Sequence, residues 1–477
     1  MRSLRIILTL LPLVLSLLRD RRRWLFWGAP LTRTAEFHRR RAERIVADIA
    51  SLGPTFVKLA QVFAARADLI GEPYISVLGT LHDQVPPVPT AEIDREIIAA
   101  YGRPAEEIFE RFDRAPVAAA SLGQVHRALY KGRDVAVKVL RPRVEQVIDQ
   151  DLRIARRIMR WVAWQWPNPH VRGVVAVIDE FSNRIAEEMD FRLEAEYATE
   201  IRHNFAGEED VIVPEIVHEL TRQRVIVLDF VEGRRIDRLA VSEDEAKRIT
   251  AVLIEMYVQM MLLDGLFHAD PHPGNLLVTP DGKLVLLDFG MVVRVAPETR
   301  LSLIRTVLAA VRKDADGIVE GFQQLGLIAP NADLAEIDRL VNILLDTAYR
   351  QDTTTQDRIR IMLADRVMHA LYDFPVVLPR DMVYFARTAS LIEGVGTRYD
   401  PYFQAIPVAS PIVLRMRSRI LRSLGETPAP SVAELATIAG FAAGRFWKRV
   451  RAFAQSRTED GRERQRTAED GRGRQSN

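Results

Sequence analysis

Two short apolar runs near the middle of the chain are separated by a turn sequence and followed by an acidic residue. The runs are residues 276–278 and 284–287, with Pro-Asp-Gly at 280–282 between them. Apolar runs joined by such a turn predict a β-hairpin. The hairpin would carry Asn275 at one end and Asp288 at the other, side by side.

A second strand-turn-strand pattern lies closer to the amino terminus. Residues 122–130 and 134–140 alternate or run apolar on either side of a Lys-Gly-Arg turn, which again predicts a hairpin. Residues 211–214 and 224–233 predict two further strands, and Gly233 would be a hinge between two lobes.

Most of the remaining chain has the period of amphipathic helices. Helices are predicted over 37–66, over 174–205 and over 243–263, and residues 297–400 are mostly helical. The first of these would be interrupted at Gly53-Pro54, because glycine ends helices and proline begins them.

Length and composition indicate a globular protein of two or three domains. The chain has 477 residues, of which 48% are hydrophobic and 27% charged, as in ordinary globular proteins. The net charge of +2 gives no sign of nucleic-acid binding, and none is expected. The absence of cysteine excludes disulfides, thiolate zinc sites and cysteine nucleophiles.

The predicted central hairpin carries polar groups that suit a hard cation. Asp270, Asn275 and Asp288 offer carboxylate and amide oxygens, which Mg²⁺ prefers and commonly shares with phosphates. Their spacing also fits the protein-kinase scheme H-R-D-x-x-x-x-N followed by D-F-G. In that scheme Asp270 is the base or the substrate-orienting carboxylate, and the other two hold the metal. Ala269 stands where the scheme has arginine.

One of only seven lysines in the chain falls on a second motif. The sequence Val-Ala-Val-Lys ending at Lys138 matches V-A-I-K, whose lysine contacts nucleotide phosphates and pairs with a helix glutamate. Glu194 is the candidate partner. The alternative is a lysine on an edge strand, where its charge prevents the exposed strand from pairing with another chain. In place of a glycine-rich loop, the chain has a sequence of small residues, which would let backbone amides approach phosphate: Ala118, Ala119, Ala120 and Ser121.

The amino-terminal segment predicts a helix at a membrane surface. Residues 6–18 are apolar, too short a run to span a bilayer, and arginines flank them. Trp24 and Trp27 follow as interfacial anchors do. The alternative is a helix packed on the protein's own surface. Residues 433–455 predict a basic helix that could lie on an anionic membrane or simply face solvent.

These motifs, in this order, resemble the UbiB/AarF/ADCK family of atypical protein-kinase-like proteins. The resemblance covers about residues 40–295, and the matching segments are 58–61, 118–121, 135–138, 188–190 with Glu194, 268–275 and 288–290. It implies an α+β fold: a two-lobed protein-kinase-like domain with an N-terminal helical extension and a mostly helical C-lobe.

The resemblance also assigns four residues that spacing alone does not single out. The family's K-x-G-Q motif falls on Lys58 and Gln61, and its E-x-D motif on Glu188 and Asp190. The resemblance implies that these residues meet over the active site, where an ordinary kinase admits peptide. Ala60 departs from the family pattern, because it replaces the glycine of K-x-G-Q.

The function implied is that of an atypical kinase or ATPase. It would bind Mg²⁺ and ATP and support ubiquinone biosynthesis or lipid homeostasis, and phosphorylation of proteins in trans is not expected. The partners implied are a membrane lipid surface and enzymes of quinone biosynthesis. The expected location is peripheral, on the cytoplasmic face of a bacterial-type cytoplasmic membrane.

Two other classes of function remain open. A metal-dependent hydrolase would use His268, Asp270 and His272 as ligands, since histidine suits zinc, but it leaves Lys138 unexplained. A non-catalytic membrane module would bind nucleotide, change shape and recruit partner enzymes or lipid without turnover.

These expectations divide the chain into six segments. They are a membrane-associated segment at 1–36, a helical extension at 37–110, a kinase-like N-lobe at 111–233, a helical C-lobe at 234–425, a basic amphipathic helix at 426–455 and a disordered tail at 456–477.

Overall fold

The computed structural model describes residues 2–21, 31, 33–64, 73–78, 87–165, 169–328, 332–349 and 379–423. The chain divides into two compact units, residues 1–409 and 410–477. The second unit is described only over 410–423, where it is helical. The predicted basic helix, the predicted tail, Trp24 and Trp27 lie outside the described residues.

Fourteen helices are described. They are α1 (Arg2–Arg21), α2 (Ala35–Leu52), α3 (Pro54–Ala64), α4 (Tyr74–Leu78), α5 (Thr90–Tyr101), α6 (Val144–Gln165), α7 (Pro169–Glu188), α8 (Phe191–Asn204), α9 (Glu243–Val258), α10 (Pro297–Arg312), α11 (Ala315–Gln324), α12 (Leu334–Tyr349), α13 (Arg380–Tyr399) and α14 (Ala405–Ser423). None of these described helices is long and apolar enough to span a bilayer.

Eleven strands are described in three sheets. They are β1 (Arg111–Phe112), β2 (Ala118–Ala119), β3 (Gly123–Tyr130), β4 (Arg133–Leu140), β5 (Val211–Ile212), β6 (Val225–Asp229), β7 (Arg234–Arg235), β8 (Leu266–His268), β9 (Leu276–Val278), β10 (Leu284–Leu286) and β11 (Val292–Arg294). The mixture of helices and small sheets confirms the predicted α+β class.

The first sheet has the order β1-β3-β4-β6, with β2 also paired to β3. The hairpin of β3 and β4 is confirmed. It turns at Lys131 and Gly132, which both have positive φ, 51° and 73°, as a two-residue turn with left-handed geometry requires. One face of the sheet packs on Ile93 and Ile97 of α5, and these side chains are fully buried.

The second sheet has the order β5-β10-β9-β7, and β8 pairs with β11 as a separate ribbon. The central hairpin is confirmed, with Leu276 opposite Leu286 in its register. The strand predicted over 211–214 is present as β5, and it runs parallel to β10 in this second sheet. Short strands contain no local signal of their partner.

Helix boundaries differ from the prediction at two places. The helix predicted over 174–205 is two helices, α7 and α8, which meet at Met189 and Asp190. The Asp190 side chain accepts a hydrogen bond from the Arg192 amide and caps α8, and this capping favours a new helix start. The helix predicted over 243–263 ends as α9 at Val258 and continues as a π-helical turn, Gln259–Asp264. By contrast, the interruption at Gly53-Pro54 is confirmed.

Gly233 follows β6 where the chain passes close to β9. A Cβ atom at this position would lie 3.0 Å from the Leu277 Cβ and 3.2 Å from the Val278 carbonyl oxygen. The glycine is therefore needed for this close approach of two backbones. Its predicted role as a hinge stays a prediction.

A buried ionic contact joins helices α1, α3 and α6. The guanidinium of Arg2 donates two hydrogen bonds of 2.5 Å to the fully buried carboxylate of Asp151 on α6. The hydroxyl of Thr55 on α3 donates to the same carboxylate at 2.8 Å. Beside this contact, Ile6 packs with Leu52 and other apolar side chains. The inner face of α1 is thus part of the core.

We expect Arg2→Met to lower the free energy of unfolding, because it leaves the Asp151 carboxylate buried without its cation. Breaking a fully buried pair costs about 3–5 kcal/mol, and we expect about 2 kcal/mol here since Arg2 is partly exposed. Urea denaturation measures the change. The control is Arg5→Met, since Arg5 is exposed and donates to the Ser51 carbonyl instead of a buried carboxylate. Equal stability of the two variants would contradict this account.

Candidate active site

The end of the β9–β10 hairpin brings Asn275 and Asp288 together. The Leu287 amide donates to the Asn275 carbonyl at 2.9 Å, which continues the pairing of the hairpin by one step. Asp288 has a φ of 59°, so the chain turns sharply at this residue. The Asn275 side-chain nitrogen donates to the Asp270 carbonyl at 3.2 Å. That bond uses the amide nitrogen, so the amide oxygen is the atom suited to a cation.

His268 fixes the loop around Asp270. Its Nε2 donates to the Asp288 carbonyl at 2.7 Å, and its Nδ1 accepts from the Asp270 amide at 3.3 Å. The ring is fully buried, and burial lowers the pKa of His268, so it is neutral. Both ring nitrogens are used within the protein.

This arrangement does not favour the metal-hydrolase alternative. That hypothesis needs a ring nitrogen of His268 as a ligand, and both nitrogens are occupied by backbone partners. Nor does the described part of the chain contain a group of three histidine or acidic side chains placed to hold a metal ion.

Asp270 is held by an arginine that sequence motifs did not identify. Arg387 on α13 donates from Nη2 to Asp270 Oδ1 at 2.8 Å, and both side chains are largely buried. Burial alone would raise the pKa of Asp270. The neighbouring cations, first of all Arg387, outweigh burial and keep that pKa below its usual value.

Lys138 lies between two carboxylates from different elements. Its Nζ is 2.8 and 2.9 Å from the carboxylate oxygens of Glu194 on α8, and 3.0 Å from Asp288 Oδ1. The prediction of a Lys138–Glu194 pair is confirmed. Because β4 lies between β3 and β6, the alternative of an edge-strand lysine is wrong.

Burial and charge shift the pKa values of this cluster in different directions. Burial would lower the pKa of Lys138, but the charges of Asp288 and Glu194 outweigh it and raise that pKa above its usual range. Burial raises the pKa of Glu194 to about 7, although Lys138 opposes the shift. Burial would also raise the pKa of Asp288, but Lys138 and Lys58 hold it well below its usual value.

The small-residue loop forms one wall of the cleft. Ala118 and Ala119 form β2, the Ala120 amide donates to the Gly123 carbonyl at 2.8 Å, and Arg141 Nε donates to the Ala120 carbonyl at 2.8 Å. The hydroxyl of Ser121 is buried and has no hydrogen-bond partner among the described residues. Buried polar groups usually have partners, so this hydroxyl is suited to a bound ligand.

Two of the four residues assigned by resemblance meet at the cleft. Lys58 Nζ on α3 lies 2.9 Å from Glu188 Oε2 at the end of α7. Gln61 is partly buried further along α3. Asp190 caps α8 and pairs with the Arg192 guanidinium at 2.6 Å. Asp190 thus lies at the amino-terminal end of α8, the helix that carries Glu194. The predicted roles of all four residues stay predictions.

Most of these side chains line one cleft, which is open to solvent and has an empty volume of about 530 Å³ including that open part. The lining residues are Lys58, Ala120, Ser121, Leu122, Gly123, Lys138, Glu188, Phe191, Glu194, Asp270, His272, Asn275, Asp288, Gly290 and Met291. Two lysines and four carboxylates are among these residues, a set suited to an anionic ligand that brings its own cation.

A family model described as the ABC1 atypical kinase-like domain matches residues 80–322. The chain belongs to the ABC1/UbiB/ADCK family. Among its relatives is an uncharacterized protein of Synechocystis sp., 33% identical over 87% of this chain and 71% of that protein. Family membership agrees with the kinase-like fold, and the fold expected from the resemblance is confirmed.

Two further proteins are similar to this chain, one by sequence and one by structure. Protein ACTIVITY OF BC1 COMPLEX KINASE 8, chloroplastic, from Arabidopsis thaliana is 32% identical over 77% of this chain, and the match spans 53% of that protein's length. A solved structure, titled the complex of Rv3197 with erythromycin from Mycobacterium tuberculosis, is similar with a TM-score of 0.55 and 25% identity. The match covers 80% of this chain and 97% of the Mycobacterium chain.

We expect Glu194→Gln to change how stability depends on pH. A carboxyl pKa raised to about 7 means that the folded state binds a proton that the unfolded state has lost above about pH 4.5. The free energy of unfolding of the unaltered protein should therefore fall as pH rises from 4.5 to 7, by at most about 1.4 kcal/mol per pH unit. The glutamine variant should lack this slope.

Urea denaturation at several pH values measures the difference between the two proteins. Glu196→Gln is the matched control, because Glu196 is exposed on the same helix. A Glu194→Gln protein with the same pH slope as the unaltered one would contradict the raised pKa.

Proposed function

We propose that the chain binds Mg-ATP in this cleft and catalyses transfer of its terminal phosphoryl group, as an atypical kinase or ATPase. The observation that carries the proposal is the position of the Lys138 ammonium, within 3.0 Å of the Glu194 carboxylate on α8 and of the Asp288 carboxylate at the end of the central hairpin. In kinases, a strand lysine that is paired in this way with a helix glutamate binds the nucleotide phosphates.

Three groups would contact the nucleotide phosphates. The Lys138 ammonium supplies positive charge, and the Glu194 carboxylate keeps that ammonium oriented toward the cleft. The small side chains of the loop before β3 let phosphate approach the backbone amides, and the unpartnered Ser121 hydroxyl can donate to a phosphate oxygen. Gly123 keeps this loop close to β4, because a Cβ there would lie 2.8 Å from the Val139 carbonyl oxygen.

The residues suited to Mg²⁺ are Asn275 and Asp288. They supply an amide oxygen and a carboxylate whose low pKa keeps it ionised, and both are hard oxygen ligands of the kind Mg²⁺ prefers. A bound Mg²⁺ would neutralise charge on the phosphates. Lys138 already contacts Asp288, so the protein holds that carboxylate in place.

Asp270 would orient the attacking group. Its carboxylate lines the cleft and is ionised, and the attacking group could be water. In phosphoryl transfer most of the catalysis comes from positioning and charge stabilisation. Lys58 and Glu188 form an ion pair at the same cleft, so a large acceptor such as a peptide would have to displace them.

We expect Asp288→Asn to abolish Mg-dependent ATP turnover, because the amide removes the charge that holds the metal. Binding of Mg-ATP should raise the melting temperature of the unaltered protein by a few degrees, since a ligand at a hundred times its dissociation constant adds about 2.7 kcal/mol. The variant should lose this magnesium-dependent shift.

Asp281→Asn serves as the control, because Asp281 is exposed in the turn of the same hairpin. Unchanged turnover in Asp288→Asn would contradict the assignment. A magnesium-dependent shift without any turnover in the unaltered protein would favour the non-catalytic nucleotide-sensing module instead.

We further propose that the chain works at an anionic membrane surface, in support of ubiquinone biosynthesis or lipid homeostasis. The support for membrane contact is the outer face of α1, where Leu4, Leu8, Leu11 and Leu15 are exposed, the first two at 61%. Among the side chains of this helix whose burial is described, the exposed charged ones are Arg5 and Arg19. An apolar helix face bordered by arginines suits an anionic interface. The quinone or lipid pathway, its partner enzymes and the cytoplasmic face rest on family resemblance alone.

We expect the double substitution Leu8→Ser and Leu11→Ser to weaken binding to vesicles containing anionic lipid by at least about tenfold. Each buried leucine contributes roughly 1.5–3 kcal/mol, and tenfold corresponds to about 1.4 kcal/mol. Vesicle flotation measures the bound fraction. Ile98→Ser, which removes an exposed apolar side chain from α5, is the control and should bind normally. Equal binding of both variants would refute a role for α1.

A further inference from the structure

Arg387 contacts the motif stretch of the cleft from a distant helix. Its Nη2 donates to Asp270 Oδ1 at 2.8 Å, and its Nη1 lies 3.5 Å from the sulfur of Met291, which follows Gly290. The exposed fractions of the Arg387 and Asp270 side chains are 16% and 17%. A guanidinium in these contacts has a fixed orientation, because its donors form a rigid fork.

The two oxygens of the Asp270 carboxylate face different surroundings. Oδ1 is bound to Arg387, whereas Oδ2 lies 3.9 Å from the Nε2 atom of His272. His272 lines the cleft and its side chain is 43% exposed. The arginine therefore holds one oxygen inside the protein and leaves the other on the side of the cleft.

Ala269 explains why this cation comes from elsewhere in the chain. It occupies the position of the arginine in the kinase scheme, but its side chain is fully buried and its amide donates to the Met291 carbonyl at 2.8 Å. A guanidinium at this position would have to enter the buried interior. Arg387 lies 117 residues beyond Asp270 on α13, a helix that packs against α9.

We propose that Arg387 is a positioning residue for the reaction, which fixes the Asp270 carboxylate so that its second oxygen faces the attacking group. The inference rests on the proposed phosphoryl transfer. Arg387 does not line the cleft that would hold the nucleotide. Its removal should therefore slow the chemical step and leave nucleotide binding intact.

The test is steady-state ATP hydrolysis by Arg387→Met and Arg387→Lys. For Arg387→Met we expect kcat to fall by about ten- to a hundredfold, because a small misplacement of a catalytic group has effects of this size. The KM for ATP and the melting shift with Mg-ATP should stay within about twofold of the unaltered protein. Arg387→Lys should recover part of kcat, since it restores the charge without the fork.

Arg398→Met is the matched control, an exposed arginine on the same helix, and it should leave kcat unchanged. A further variant, Arg387→Ala, should regain part of its kcat when guanidinium is added at concentrations far below those that unfold the protein. A purely structural role would not allow such rescue.

The outcomes separate this inference from the function on which it rests. Full kcat in Arg387→Met together with lost turnover in Asp288→Asn would overturn the role of Arg387 alone. Arg387→Met could also lose both kcat and the Mg-ATP melting shift, with no recovery by lysine or guanidinium. That result would show that the variant misfolds, and it would overturn the positioning role of Arg387. No Mg-dependent turnover in the unaltered protein would overturn both proposals.

Discussion

The ammonium group of Lys138 is the contact on which the cleft depends. It joins a strand of the first sheet, the helix that follows Asp190 and the residue that ends the central hairpin. Lys138 and Glu194 are largely withdrawn from water, with side-chain exposures of 16% and 7%, whereas Asp288 is 44% exposed. Removal of the lysine would therefore leave Glu194 buried without its countercharge. The surrounding apolar cores must supply the stability, while the charged cluster sets the electrostatic character of the cleft.

Much of the fold and of the site could be predicted because their signals are local. Both hairpins consist of adjacent apolar runs with a turn between them, and the offsets of Asp270, Asn275 and Asp288 place these residues at one hairpin end. Lys138 was identifiable for the same reason, since its strand has a recognisable four-residue sequence.

The features that escaped prediction depend on contacts between distant residues. Nothing near Arg387 in the sequence marks it, because its partner lies 117 positions away. The break between α7 and α8 was hidden, since the helical period continues through it; the Asp190 cap was its only local signal. The family resemblance placed Lys58 beside Glu188 correctly but gave no indication that Asp190 would serve as a helix cap.

The parallel pairing of β5 with β10 has a consequence for how the protein can be divided. The chain leaves the first sheet after β4, contributes β5 to the second sheet, and then returns to the first sheet as β6. A fragment that ends at Gly233 would carry a strand without its partner, and the complementary fragment would lose one edge of the sheet that presents Asp288. The backbone therefore passes from the first sheet to the second and back, so a cut at Gly233 would divide the second sheet, and β5 cannot pair with β10 until β10 has been synthesised.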